Sequence, residues 1–219
     1  MAHLEIIPAI LAQTPTDFFD KVRSIQSCSP RLHLDIIDGN FAPNTTISGF
    51  EELVHVDSSI RWNVHLMVNS PELDIEKWFL LNVDRIYIHV QALGTDFMPD
   101  LLKKIQTGGK KAGLVFQPGV LIEAYEHLVP LADAVQCMTV HPGFYGSPFE
   151  AEGLEQLAYL KTKYPNIHYS VDGSMNPETI SRAVAAGADA IIVGSYIMNS
   201  KNPCQRLQEL KTLIQSLHV

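Results

Sequence analysis

Eight short apolar runs, each parted from the next by a longer stretch with one polar face, constrain this chain more than any other property. The runs are LEIIPAIL, RLHLDIID, WNVHLMV, RIYIHV, AGLVFQP, AVQCMTV, IHYSVDG and AIIVGSYI. The intervening stretches TDFFDKVRSIQ, PELDIEKWFLL, DFMPDLLKKIQ, LIEAYEHLVPLA, GLEQLAYLKTKY and NPETISRAVAAG, with PCQRLQELKTLIQSL at the end, carry apolar residues at helical spacing. Strands alternating with helical crossovers make a parallel sheet, and eight such units predict an α/β fold, a single (β/α)8 TIM barrel. The doubly wound open sheet expects a Gly-rich turn after its first strand, whereas AQTPTDFF contains no glycine. Residues 39–48 read as a long loop. With no linker, low-complexity tract or charge block, residues 1–219 are taken as one domain.

Composition narrows the function. Hydrophobic residues are 46% and charged residues 18% of the chain, enough for a large core. The net charge of −8 argues against nucleic acid or an anionic membrane as partner. It leaves room for a small anion held locally by backbone N–H groups at helix N-termini. Three widely spaced cysteines, Cys28, Cys137 and Cys204, without a CxxC, predict reduced, partly buried thiols rather than a disulfide. No apolar run approaches the roughly 20 residues of a bilayer span. The N-terminus lacks the basic and apolar regions of a signal peptide, so a cytoplasmic protein is expected.

In a barrel, chemistry gathers at the C-terminal ends of the strands. His33 and Asp35 are two apart in the second run and share a face. The third run offers His65, the fourth His89 and the seventh Asp172. Two imidazoles and two carboxylates converging there suit one divalent ion, zinc, manganese, iron or cobalt. Each residue also has an ordinary reading: a lone strand histidine is commonly a hydrogen-bonded core residue, and Asp172 fits a helix cap. Against that, an uncompensated buried carboxylate costs several kcal/mol, which a shared cation removes. His89 reads as a supporting or structural residue, Asp38 beside Gly39 as a turn residue, and His141 as a loop residue. A second constellation is glycine-based: HPGFYGS, VDGSMNPE and VGSYI follow the last three strands. Gly143, Gly146, Gly173, Gly194 and Ser195, with the Ser174 hydroxyl, are phosphate-binding candidates, although glycine is also common in plain turns.

The motifs LHLDIIDGNFAPN, VHLMV, MTVHPGFYGSPF, VDGSMN and VGSYI, in this order along nearly the whole chain, resemble the ribulose-phosphate 3-epimerase family. The resemblance implies one divalent metal on His33, Asp35, His65 and Asp172, with Asp35 and Asp172 as the acid/base pair. It implies a metal-dependent isomerase that converts D-ribulose 5-phosphate to D-xylulose 5-phosphate by two-base proton transfer through a cis-enediolate, in the pentose phosphate pathway. Met67 and Met138 would pack near the intermediate. Phe144 and Tyr145 of the sixth loop would join the substrate pocket. A homo-oligomer, dimer or hexamer, is implied as well.

Departures from the family pattern cluster on the substrate side. Ala9 stands for a serine, Ile37 for a methionine, Tyr145 and Ser147 for glycine and glutamine, Ser174 for a second glycine, and Gln117 for a lysine. His141 takes the position before the proline of the sixth loop. They keep open a ketohexose 6-phosphate such as D-allulose 6-phosphate as substrate, or a sugar-phosphate-binding paralogue without turnover. An aldolase-type lyase expects an Asp-x-Lys-x-x-Asp motif on a central strand, and WNVHLMVNS has no such lysine.

Overall fold

A computed structural model describes residues 4–144 and 146–217. Eight parallel strands close into a barrel in sequence order: β1 (Glu5–Ile10), β2 (Arg31–Ile37), β3 (Arg61–Met67), β4 (Val83–His89), β5 (Lys111–Phe116), β6 (Ala134–Met138), β7 (His168–Asp172) and β8 (Ala190–Val193), with β8 pairing back to β1. The (β/α)8 TIM barrel expected from the sequence is the observed fold. The α-helices are α1 (Pro15–Ile25), α2 (Phe50–Leu53), α3 (Met98–Thr107), α4 (Ile122–Tyr125), α5 (Glu152–Lys163), α6 (Pro177–Ala185), α7 (Ser195–Met198) and α8 (Pro203–Ser216).

Local chemistry sets where the helices start. Thr14, Asn176 and Asn202 precede α1, α6 and α8, each followed by proline at the first helical position. The side-chain oxygens accept from Asp17 N at 3.2 Å, Glu178 N at 3.0 Å and Gln205 N at 3.1 Å, satisfying amides the helix leaves open. Two expected helices form differently. PELDIEKWFLL becomes 3₁₀ turns at Pro71–Leu73 and Ile75–Leu80, because Ser70 is left-handed at φ 55° and Asp74 breaks the path at φ −118°. After β5, α4 passes straight into a 3₁₀ segment, Glu126–Leu131, that contains Pro130, which has no N–H to continue a helix. The 39–48 stretch is a loop, fastened by an isolated antiparallel bridge between Asp38 and Thr45.

Strand alternation sorts the core into two parts. Leu32, Leu34 and Ile36 of β2, with Trp62, Val64 and Leu66 of β3, join the large apolar cluster under the helices. Their neighbours His33, Asp35, Asn63 and His65 are buried outside that cluster, toward the barrel interior. Apolar groups complete the interior: Ile7, Ala9, Ala190 and Ile192 on one side, and Tyr87, Val115, Ala134, Met138 and Val140 on the other. At the N-terminal end of the barrel, Arg31 is hydrogen-bonded to Asp84 and lies 3.3 Å from Glu5.

The expectation of reduced thiols is corrected for two of the three cysteines. Cys28 and Cys204 form a disulfide across 176 residues, with Cα atoms 5.7 Å apart. The pairing is invisible to spacing rules because it arises only when barrel closure packs α8 beside α1. A cross-link of so long a loop stabilises a fold by about 2–4 kcal/mol, chiefly by restricting the unfolded chain. Cys137 is free and buried. Among the described residues, no helix is long and apolar enough to cross a membrane.

Candidate active site

Register brings the polar groups together. Asp35 pairs with His65 between β2 and β3, and Met138 with Asp172 between β6 and β7. Four donor atoms, one each from His33, Asp35, His65 and Asp172, lie within 4.8 Å of one another. His65 Nδ1 is 3.0 Å from Asp35 Oδ1 and 3.6 Å from Asp172 Oδ2, and His33 Nε2 is 3.4 Å from Asp35 Oδ1. Both histidines are fully buried, and the two aspartates are 6% and 9% exposed.

Two observations show that these side chains suit a cation. Neither ring nitrogen of the buried His33 has a hydrogen-bond partner among the described residues, an arrangement that costs free energy unless something else occupies the nitrogen. The carboxylates also oppose one another. Burial, then the nearby Asp35 charge, pushes Asp172 up to about 7. Burial raises Asp35 too, but the His33 and His65 imidazoles outweigh it and hold Asp35 well below the usual carboxylate range. A divalent ion relieves the repulsion and fills the free lone pairs, and two nitrogens with two oxygens form a donor set for zinc, manganese, iron or cobalt.

Supporting groups fix these side chains. His65 Nε2 meets His89 Nε2 at 2.9 Å with the ring planes 19° from parallel, leaving His65 Nδ1 turned to the carboxylates. His89 is kept neutral, first by burial and then by His65, and Phe41 packs on its ring at 4.5 Å. Thr139 N donates to the Asp172 carbonyl at 2.8 Å. The sequence reading missed Gln136, fully buried, whose amide nitrogen lies 3.0 Å from Asp172 Oδ2 and 3.3 Å from His65 Nδ1. Its signal was present: it is the polar residue two before Met138, on the inward face of an apolar strand.

A pocket opens above the cluster at the C-terminal mouth, and Ala9, Leu11, Met67 and Met138 line it with the two aspartates. The loops after β6, β7 and β8 supply the rest of its wall, Gly143, Phe144 and Gly146 from the first, Gly173 and Ser174 from the second, Gly194 and Ser195 from the third. Gly173 has φ 115°, and a Cβ there would come within 2.7 Å of Val140, so only glycine fits. Ser174 is left-handed at φ 48°, a conformation glycine adopts more readily, and its hydroxyl donates to the Ser147 carbonyl, joining two of the loops. Asn44 Nδ2 donates to the Gly143 carbonyl at 2.7 Å, tying the long second loop to the sixth. Tyr145 lies outside the described residues. Asp38 accepts from the amides of Asn40, Phe41 and Asn69 at 2.8 Å each, a turn role. His141 is exposed, 3.4 Å from Glu150.

Comparison with known proteins agrees with this layout. Residues 5–198 match the model of the "Ribulose-phosphate 3 epimerase family". A ribulose-phosphate 3-epimerase of Aquifex aeolicus is 33% identical over 218 residues, covering 96% of this chain and 97% of the relative. The cytoplasmic isoform of the same enzyme from Oryza sativa is 31% identical, covering 98% and 96%. A 3-hexulose-6-phosphate synthase structure superposes with a TM-score of 0.69 over 96% of this chain and 99% of its own, at 16% identity. That likeness speaks to the barrel and not to chemistry.

Proposed function

We propose that this chain, which belongs to the ribulose-phosphate 3-epimerase family of isomerases, interconverts D-ribulose 5-phosphate and D-xylulose 5-phosphate. The observation that carries the reading is the pair of buried carboxylates, Asp35 and Asp172, held with two imidazoles at the floor of a pocket whose rim is three glycine-bearing loops.

Inversion at a carbon beside a carbonyl takes a base on one face and an acid on the other. Asp35 comes from β2 and Asp172 from β7, with β1 and β8 between them in the barrel, so the two carboxylates approach a substrate in the mouth from different sides. One takes the C3 proton and the other returns a proton to the opposite face of the planar intermediate. His33, Asp35, His65 and Asp172 would hold a divalent cation, which when bound would supply Lewis-acid stabilisation of the charge that develops on oxygen. Met67, Met138 and Ile192 wall the pocket with apolar surface, which keeps water from the reacting carbon. Phe144 flanks the substrate, and the backbone amides of Gly143, Gly146, Gly173, Gly194 and Ser195, with Ser174, receive the phosphate.

The metal is one of zinc, manganese, iron or cobalt. A cytoplasmic setting, one barrel domain over residues 1–219 and a homo-oligomer, dimer or hexamer, belong to the same proposal. The test is an epimerase assay on chelator-stripped protein with each metal restored singly and with D-ribulose 5-phosphate and D-allulose 6-phosphate as substrates. The expected result is loss of activity on stripping, recovery with metal, and preference for the pentulose phosphate. Full activity after stripping, or turnover of neither substrate, contradicts it.

A further inference from the structure

Gln136 occupies a position that an interior barrel layer ordinarily fills with an apolar side chain. Its inward neighbours on β6 are Ala134 and Met138, and it is fully buried. The end of its side chain is aimed at the cation cluster, 3.0 Å from Asp172 Oδ2 and 3.3 Å from His65 Nδ1. Those separations match the ones among the cluster's own donors, 3.0 Å between His65 Nδ1 and Asp35 Oδ1 and 3.4 Å between His33 Nε2 and Asp35 Oδ1. Its other polar atom, Oε1, has no hydrogen-bond partner among the described residues.

We propose that Gln136 is a fifth donor to the cation, through its amide oxygen. The inference rests on the four-residue reading of the site. With no positive charge between the acceptors, the NH2 group stands in for one, donating to Asp172. Once a cation engages His65 Nδ1, that lone pair no longer accepts, and an N–H pointing at the ion is repelled. A half-turn about the last side-chain bond exchanges nitrogen and oxygen with little change in shape. The oxygen then takes the place between Asp172 and His65, and Oε1 is no longer stranded in the core. The donor set becomes two nitrogens and three oxygens. Oxygen-rich sets of five or more suit manganese and ferrous iron, whereas zinc is content with four ligands. Gln136 thus biases the site away from zinc.

The test compares stripped wild type, Gln136→Leu and Gln136→Glu, measuring Mn²⁺ and Zn²⁺ dissociation constants by competition titration and the visible spectrum of the Co²⁺-loaded forms. Gln136→Leu fills the layer with an ordinary apolar residue, and Gln136→Glu keeps an oxygen in place. The expected result is Mn²⁺ binding weakened on the order of 10-fold in Gln136→Leu, Zn²⁺ binding changed far less, and stronger Co²⁺ absorption as coordination drops from five to four. Gln136→Glu should hold Mn²⁺ at least as tightly as wild type. Wild-type Mn²⁺ and Zn²⁺ constants and an unchanged Co²⁺ spectrum in Gln136→Leu would overturn the fifth-donor assignment alone. If Gln136→Leu does not fold, weakened Mn²⁺ binding by Gln136→Glu overturns it instead. Wild-type protein that takes up no ion at all overturns the four-residue reading, and this inference with it.

Discussion

Strand β2 carries inward charge at both ends, and the two ends treat it in opposite ways. At the N-terminal end Arg31 is matched by Asp84 and Glu5. The pairing raises the Arg31 guanidinium against the effect of its own burial, and it lowers Asp84 although burial acts the other way. At the C-terminal end Asp35 has another carboxylate, Asp172, within reach of the same histidine, and no lysine or arginine among the groups perturbing either one. Complementary charge at one end is satisfied within the fold. Like charge at the other is relieved either by a proton on Asp172 or by an added cation. Perturbed groups of the second kind mark functional sites, and one strand shows the difference within a few residues.

Substitutions break this comparison unequally. The largest effect is expected at the upper end: Asp35→Asn and Asp172→Asn should each cut kcat by about 10³-fold while the far-ultraviolet circular dichroism stays that of the wild type. His65→Ala should weaken metal binding by about 10-fold to 100-fold, read by titration of the stripped protein. At the lower end, Asp84→Asn should leave kcat within about twofold and lower the unfolding free energy by about 1–2 kcal/mol, since the pair is only half-buried; urea denaturation measures it.

The smallest effects are pH slopes, at most about 1.4 kcal/mol per pH unit for one proton. They have opposite signs. Asp172 sits at about 7 in the folded, cation-free protein against 3.8 ordinarily. The folded state therefore holds the extra proton between these values, and stability falls as pH rises from about 4 to about 7. His168, in the lower half of the barrel, is depressed to about 4 by burial and then by Arg85, against 6.5 ordinarily. There the unfolded state takes the proton first, and stability falls as pH drops from about 6.5 to about 4. Asp172→Asn should remove the first contribution, and His168→Asn should lessen the second, to which the buried His65 and His89, also depressed, contribute with the same sign, followed by melting temperature across this range. Saturating metal should also abolish the first and leave the second.

Much of this was legible in the sequence because strand alternation is a short-range rule. His33 and Asp35 share a face by spacing alone, and their meeting with His65 and Asp172 follows once eight strands close a ring. The turn role of Asp38 could be read from its place beside Gly39. What escaped depends on distant pairing or local backbone detail. The Cys28–Cys204 bridge needs the ring closed before its partners are neighbours. The stretches after β3 and β5 carry helical spacing, yet left-handed Ser70 and the ring of Pro130 turn parts of them into 3₁₀ segments. Gln136 went unread because a single polar residue inside AVQCMTV matches no motif; alternation puts it on the inward face, but its role rests on its distances to Asp172 and His65.

The claim that two acids at the cation-binding end act on one carbon, one taking its proton and the other delivering a different proton to the opposite face, is tested most directly by proton NMR of D-ribulose 5-phosphate in deuterated water. Metal-loaded wild type should form xylulose 5-phosphate carrying deuterium at C3, and Asp35→Asn and Asp172→Asn, equally folded, should form none. Formation of deuterated xylulose 5-phosphate at close to the wild-type rate in either variant would contradict the account.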